Sequence, residues 1–178
     1  MEYKFTEKDL KKKIKKGTLP QQENLFGEPI EMKEQRLKIY PNASPDMKYC
    51  LTSPIMVLIP RKRKADQRVY LNINTYRNLH FQVNNNAKII YKQLMTTQIE
   101  SLPVFGKIKL LFVLHKGSRR KTDRHNICSI VQKFFCDALV ELGKLQDDND
   151  DFIISEKYEA GEVIKGGACC KIYIKEVE

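Results

Sequence analysis

Residues 107–143 constrain the fold more than any other part of the chain. KIKLLFVLH (107–115) is an apolar run preceded by Pro103 and Gly106, and it reads as a buried strand. A basic loop follows. Then Ile127, Ile130, Val131, Phe134, Ala138 and Leu142 recur at steps of three and four, the spacing of a helix with one apolar face, until Gly143 supplies a C-terminal stop. A strand feeding such a helix needs a layer on which to bury that face. IMVLIP (55–60) and RVYLNIN (68–74) predict two earlier strands, joined by a basic hairpin loop over 61–68. Tyr76, Leu79, Val83, Ala87, Ile90, Leu94 and Ile99 predict a helix over 76–100, with a weak centre or early break at the asparagine run 84–86. Residues 152–158 and 171–177 alternate as two closing strands. The order β-β-α-β-α-β-β predicts an α+β domain, a mixed β-sheet with two main helices packed against it, plus an N-terminal extension.

That extension is expected over 1–50 and the folded domain over 51–178. A short Lys-rich helix, about 6–16, ends at Gly17, and Pro20, Gly27, Pro29, Pro41 and Pro45 then punctuate a stretch with only scattered apolar residues. The formal charge of +10 favours an anionic partner, nucleic acid first and an acidic membrane surface second. Lys11–Lys13 with Lys15 and Lys16, Arg61–Lys64, and Lys116–Lys121 form three basic clusters, whereas 147–162 is acidic. Five cysteines without a CxxC pair make no disulfide framework, which points to a reducing, cytoplasmic setting. No apolar run approaches the ~20 residues that span a bilayer, so no membrane partner is expected.

The chemistry concentrates in RRKTDRHNICSIVQKFFCDALVELGKLQDD (119–148). Lys116, Arg119, Arg120 and Lys121 lead to Asp123, His125 and Asn126, and beyond the helix lie Asp147, Asp148, Asp150 and Asp151. Carboxylates at both ends of one helix, beside a patch of Arg and Lys, suit a metal-dependent enzyme that cuts a phosphate backbone. At 100° per residue, Asn126, Lys133 and Asp137 fall on one line at the edge of the apolar face, either as a functional row or as an ordinary Lys–Asp pair at i, i+4. The acidic run is not an EF-hand, because Phe152 and Tyr158 stand where that loop needs Gly and Glu. There is no phosphate-binding P-loop and no nucleophile elbow. A zinc site from His125, Cys128 and Cys169–Cys170 matches no structural-zinc spacing.

These residues resemble the RusA-type Holliday junction resolvases of bacteria and their phages. The family pattern is a basic stretch, Asp-x-Asp-Asn, a helix carrying Lys and Asp-Ala-Leu, then a Gly and an Asp-Asp pair. Its counterparts here are RRKTDRHN (119–126), Lys133, DAL (137–139), Gly143 and Asp147–Asp148. LNINTYRNLH (71–80) looks like the upstream segment of phage-type members, matching at Asn74 and Tyr76–Arg77. The resemblance covers roughly 54–177, and two departures stand out. His125 replaces the second Asp, and Asn126 lies seven residues before Lys133, a spacing that still keeps both on one helix edge. Imidazole suits Mn²⁺ or Zn²⁺ better than Mg²⁺, so His125 is expected to move metal preference toward Mn²⁺.

What the resemblance implies is a homodimer that recognises branched DNA, especially four-way junctions, and nicks it with Mg²⁺ (or Mn²⁺) in recombination and repair, with no small-molecule cofactor. Asp123, Asp148 and Lys133 would be the catalytic residues. Asp123, His125, Asp147 and Asp148 would hold metal, while Asn126 and Asp137 support them, Asp137 by orienting Lys133. Lys116, Arg119, Arg120, Lys121 and Arg124, with Arg61, Lys62, Arg63, Lys64 and Arg77, would grip DNA phosphates. Two other readings compete with this one. In the first, the chain is a nucleic-acid-binding module of the same fold that has lost catalysis, and it binds branched DNA equally well when metal is chelated. In the second, it is an interaction protein whose Lys-rich arm carries all its affinity for acidic partners.

Overall fold

A computed structural model describes residues 47–177 of the chain. The chain divides into two units, Met1–Gln35 and Arg36–Glu178, and every described residue belongs to the second. The Lys-rich helix expected over 6–16 and the Pro/Gly-punctuated stretch after it lie outside the described residues.

The elements run β1 (Tyr49–Pro54), β2 (Met56–Ile59), β3 (Gln67–Tyr70), α1 (Ile73–Asn78), α2 (Phe81–Glu100), β4 (Lys107–His115), α3 (Arg124–Glu141), β5 (Ile153–Ala160) and β6 (Cys169–Val177). Four strands form a sheet in the order β1-β6-β4-β5, and β2 and β3 form a separate hairpin. Only β4 and β5 are parallel, so the sheet is mixed and the class is α+β, as the pattern predicts. Parallel neighbours need a crossover, and α3 supplies it. The residues 119–148 are therefore the connection of one β-α-β unit.

Phe112 of β4 meets Phe135 of α3 edge-on, with centroids 6.3 Å apart, which identifies the face of the sheet that α3 covers. Phe112 is paired with Ile172 and Leu114 with Cys170, so the strand alternation puts all four side chains on that face. Leu111, Val113 and Tyr173 cluster on the other face, with Met47 packed against them. Helix α3 is buried on a wider arc than its spacing suggests, because Cys128, Phe135, Cys136 and Leu139 are buried as well. It is covered twice. The sheet lies on one side, and the rings of Tyr76 (α1) and Tyr91 (α2) meet Phe134 edge-on from the other. Each of the buried aromatics among these, such as Phe134 and Phe135, contributes about 1.5–3 kcal/mol by burial.

Three elements differ from the sequence reading. Strand β1 straddles the expected domain boundary at 51. Its alternation is masked by Ser53, a polar residue on the core face whose hydroxyl is satisfied by Tyr91 Oη at 2.7 Å. The outer edge of β1 is closed by Gln98 of α2, which accepts from Thr52 N at 2.8 Å and donates to Thr52 O at 3.0 Å. The strand expected over 68–74 stops at Tyr70, because Asn72 caps α1 by accepting from Thr75 N at 2.8 Å. The expected helix over 76–100 breaks at Leu79–His80 and runs unbroken through the asparagines. Asn84 spans that break, donating to Tyr76 O at 2.8 Å and to Leu79 O at 3.4 Å. Gly143 does stop α3. Its φ of 67° lets Gly143 N reach Val140 O and Lys144 N reach Leu139 O, at 3.0 and 2.8 Å.

His115 ends β4 fully buried, with Nδ1 donating to Glu162 O at 3.2 Å. Only glycine fits opposite it, since a Cβ on Gly161 would sit 2.7 Å from the ring. Burial, reinforced by the Lys171 ammonium and opposed by the Glu162 carbonyl, holds this imidazole below its ordinary value. The unfolded chain protonates His115 near pH 6.5, so the unfolded state binds more protons from about that pH downward. The stabilisation from His115 is thus complete above ~6.5 and is lost as pH falls. His115→Gln should flatten the fall in Tm between neutral pH and pH 5. Equal declines in both proteins would clear His115 as the cause.

Candidate functional site

At the C-terminal ends of β4 and β5 a cavity of about 360 Å³ opens between the strands and the start of α3. Lys116, Thr122, Asp123, Arg124 and His125 line it, with Leu114 and Ala160 at the strand ends. Asp123 is the N-cap of α3, its Oδ1 accepting from His125 N at 2.9 Å and Asn126 N at 3.4 Å. An Asp just before an apolar-periodic helix is a common cap, and that signal was present in the sequence. His125 is exposed and rests its ring on the edge of Tyr158, centroids 5.3 Å apart. Arg124 is half-buried, and its Nε is enclosed without a hydrogen-bond partner among the described residues.

Arg119, Arg120 and Lys121 are exposed beside this cavity, and Lys116 is half-buried. None of the four makes an ion pair among the described residues. The ion pairs there join α2 to α3 instead: Lys88 with Asp137 and Glu141 at 3.1 and 3.2 Å, and Lys92 with Glu141 at 2.5 Å. Asp137 thus pairs with Lys88 rather than with Lys133. Lys133 is exposed. Arg61–Lys64 occupy the exposed turn of the β2–β3 hairpin, closed by Arg61 N donating to Asp66 Oδ1 at 3.3 Å, and Arg77 is exposed on α1.

The acidic run forms the turn before β5. Asp147 shapes it, accepting from Asp148 N at 2.8 Å and Asn149 Nδ2 at 2.9 Å, and Asn149 Oδ1 accepts from Asp151 N at 2.9 Å. Asp148 is exposed, and its carboxylate accepts no hydrogen bond among the described residues. Its neighbourhood is revealed by Cys136. Burial pushes that thiol up, the carboxylates of Glu156, Asp148 and Asp137 push it further, and Lys133 opposes them. Asp148 thus lies within electrostatic reach of Cys136 in the C-terminal half of α3, the half that also carries Lys133 and Asp137.

Asp123 and Asp148 do not meet. Cys136, beside Asp148, is roughly 20 Å along the helix axis from Asp123 at 1.5 Å per residue. The parallel pairing of β4 and β5 agrees: Asp123 is level with Leu114 and Ala160 at one end, whereas the acidic turn precedes the Ile108–Ile153 pair at the other. One ion could not bridge them. Among the described residues no three His, Cys, Asp or Glu side chains converge as a metal site. The expected set of Asp123, His125, Asp147 and Asp148 is therefore split in two within a single chain. The zinc set fails for a similar reason, because Cys169 and Cys170 alternate across the sheet.

Between the two ends runs a polar seam that sequence reasoning missed. Tyr158 Oη donates to Gln132 Oε1, and Gln132 Nε2 donates to Glu156 Oε1. Burial and the Glu156 carboxylate push the Tyr158 phenol up to about 12, so it remains a donor. Glu156 and Tyr158 stand two apart on β5, a visible alternation. Their partner on α3, however, is fixed only by the packing of helix on sheet.

The class these features define is an α+β domain whose β4-α3-β5 unit carries a cationic cavity at one end and an acidic turn at the other. A scan against protein-family models gives no match to this chain, and a search of curated proteins gives none. Among the described residues no helix is long and apolar enough to cross a membrane.

Proposed function

We propose that this protein is a metal-dependent endodeoxyribonuclease that nicks branched DNA, four-way junctions above all, and that it works as a homodimer. The observation that supports this most is the cavity that brings Asp123, His125, Lys116 and Arg124 together next to the exposed cations of Arg119–Lys121. Such a patch offers a phosphate backbone charge-assisted contacts without reading its sequence. Because Asp123 and Asp148 lie at opposite ends of α3, a shared Mg²⁺ needs carboxylates from two copies. A two-fold dimer can set the acidic turn of one protomer against the cavity of its partner, and repeats that arrangement at both sites. Bound there, Mg²⁺ or Mn²⁺ would activate water and offset charge on phosphate. The chain's own cations would hold the strand, and Lys133 would supply a fixed positive charge beside the acidic turn.

A cleavage assay on a synthetic four-way junction tests the proposal, with metal titrated, EDTA as control and a linear duplex of the same sequence alongside. Nicking of the junction that stops with EDTA is the expected result. The separation of the carboxylates, and the use of Asp123 as a helix cap, favour a second reading, a branched-DNA-binding module without turnover. That protein would bind the junction equally in EDTA and cut nothing at any metal concentration.

His125 refines the proposal. His125→Asp places an oxygen ligand beside Asp123, so Mg²⁺-supported nicking should rise relative to Mn²⁺-supported nicking. An unchanged ratio of the two activities would remove His125 from the metal site.

A further inference from the structure

We propose that the surface carried by α1 and the start of α2 binds unpaired DNA bases, with Phe81 as the platform on which a base stacks. Three observations carry this. From Gln67 to Ile99 the chain contains no Asp or Glu, so nothing on this stretch repels a polyanion. Within it Asn74, Arg77, Asn78, His80 and Phe81 are all exposed. Phe81 is 64 % exposed at the first position of a 20-residue helix, where it contributes little to the core.

The ring is nonetheless held in place. His80 lies against it with centroids 4.5 Å and planes 36° apart, and His80 Nδ1 accepts from Gln82 N at 3.3 Å. The corner beneath is fixed by the Asn72 cap and by Asn84, which bonds the carbonyls of Tyr76 and Leu79. A backed aromatic plane at the start of α2, an exposed guanidinium near the end of α1 four residues earlier, and exposed amides match an unpaired nucleotide. The base offers a π-face, the phosphate takes Arg77, and the base edges can bond the Asn74 amide and the Asn78 Oδ1, the Asn78 Nδ2 already donating to Asn74 O at 2.9 Å. A fully paired duplex hides its base faces, so the surface discriminates for the unpaired positions found at a branch point. An apolar protein partner would leave the Asn and Arg groups unsatisfied, which the same charge argument disfavours. The inference rests on the nucleic-acid reading above but uses a different surface from the cavity and the basic loop.

The test uses the full chain in EDTA, so that no cutting interferes. The probes are a single-stranded oligonucleotide carrying the fluorescent base 2-aminopurine and a linear duplex of matching length. Wild type should quench the 2-aminopurine on binding. Phe81→Ala should abolish that quenching and weaken single-strand binding about tenfold while leaving duplex binding and Tm unchanged, and Phe81→Trp should retain both signals. If wild type binds both probes and Phe81→Ala quenches and binds like wild type, the stacking platform is refuted while the nucleic-acid reading stands. Equal loss of single-strand and duplex binding by Phe81→Ala would also refute it. If wild type binds neither probe, the nucleic-acid reading itself fails.

Discussion

Asp148→Asn leaves four-way-junction binding intact or slightly tighter and lowers cleavage by orders of magnitude. The two effects separate because the residue is exposed and its carboxylate holds no hydrogen bond among the described residues, so its loss costs the fold little. Removing a negative charge also relieves repulsion of phosphate. The same geometry gives a sharper expectation. Asp123 and Asp148 stand at opposite ends of α3, so a homodimer must build each site from Asp123 of one protomer and Asp148 of its partner. Mixing Asp123→Asn with Asp148→Asn then yields heterodimers with one fully acidic site and one fully neutral site. Each variant alone should be inactive, and the mixture should recover single-strand nicking but not paired cuts. Recovery would be absent if each chain completed its own site. Wild-type cleavage by Asp148→Asn would remove that residue from catalysis altogether.

The second large effect is on affinity. Replacing Arg119, Arg120 and Lys121 together should weaken binding to every DNA sequence about equally, because exposed cations that lack carboxylate partners among the described residues contact phosphates rather than base edges. Each phosphate that is no longer neutralised lowers the log–log salt slope by ~0.9 on duplex DNA, so removing all three cations lowers it by roughly 2.7. Binding measured across a salt series reads this directly. An unchanged slope would mean that the loop faces solvent, and the grip would pass to Arg61–Lys64 on the hairpin turn.

The strand over 107–115, the helix ending at Gly143 and the α+β class were legible because strong apolar periodicity leaves few other ways to bury a face. Elements governed by single polar contacts were not. Strand β1 depends on Ser53 meeting Tyr91 across the core, and the split between α1 and α2 depends on two asparagine side chains. Such bonds tie residues by chemistry that carries no period.

At the candidate site the sequence by itself determined the inventory: a cationic loop, Asp123 and His125, Lys133, and an acidic turn around one helix. It also put Asp123 where a cap belongs. Which of those groups meet was decided by the tertiary structure alone. Linear spacing is blind to the direction in which a crossover helix runs, and a parallel β4–β5 pair forces the two ends of α3 to opposite ends of the strands. That direction parts Asp123 from Asp148, gives Asp137 to Lys88 across the helix pair, and aligns Gln132 with Glu156 and Tyr158.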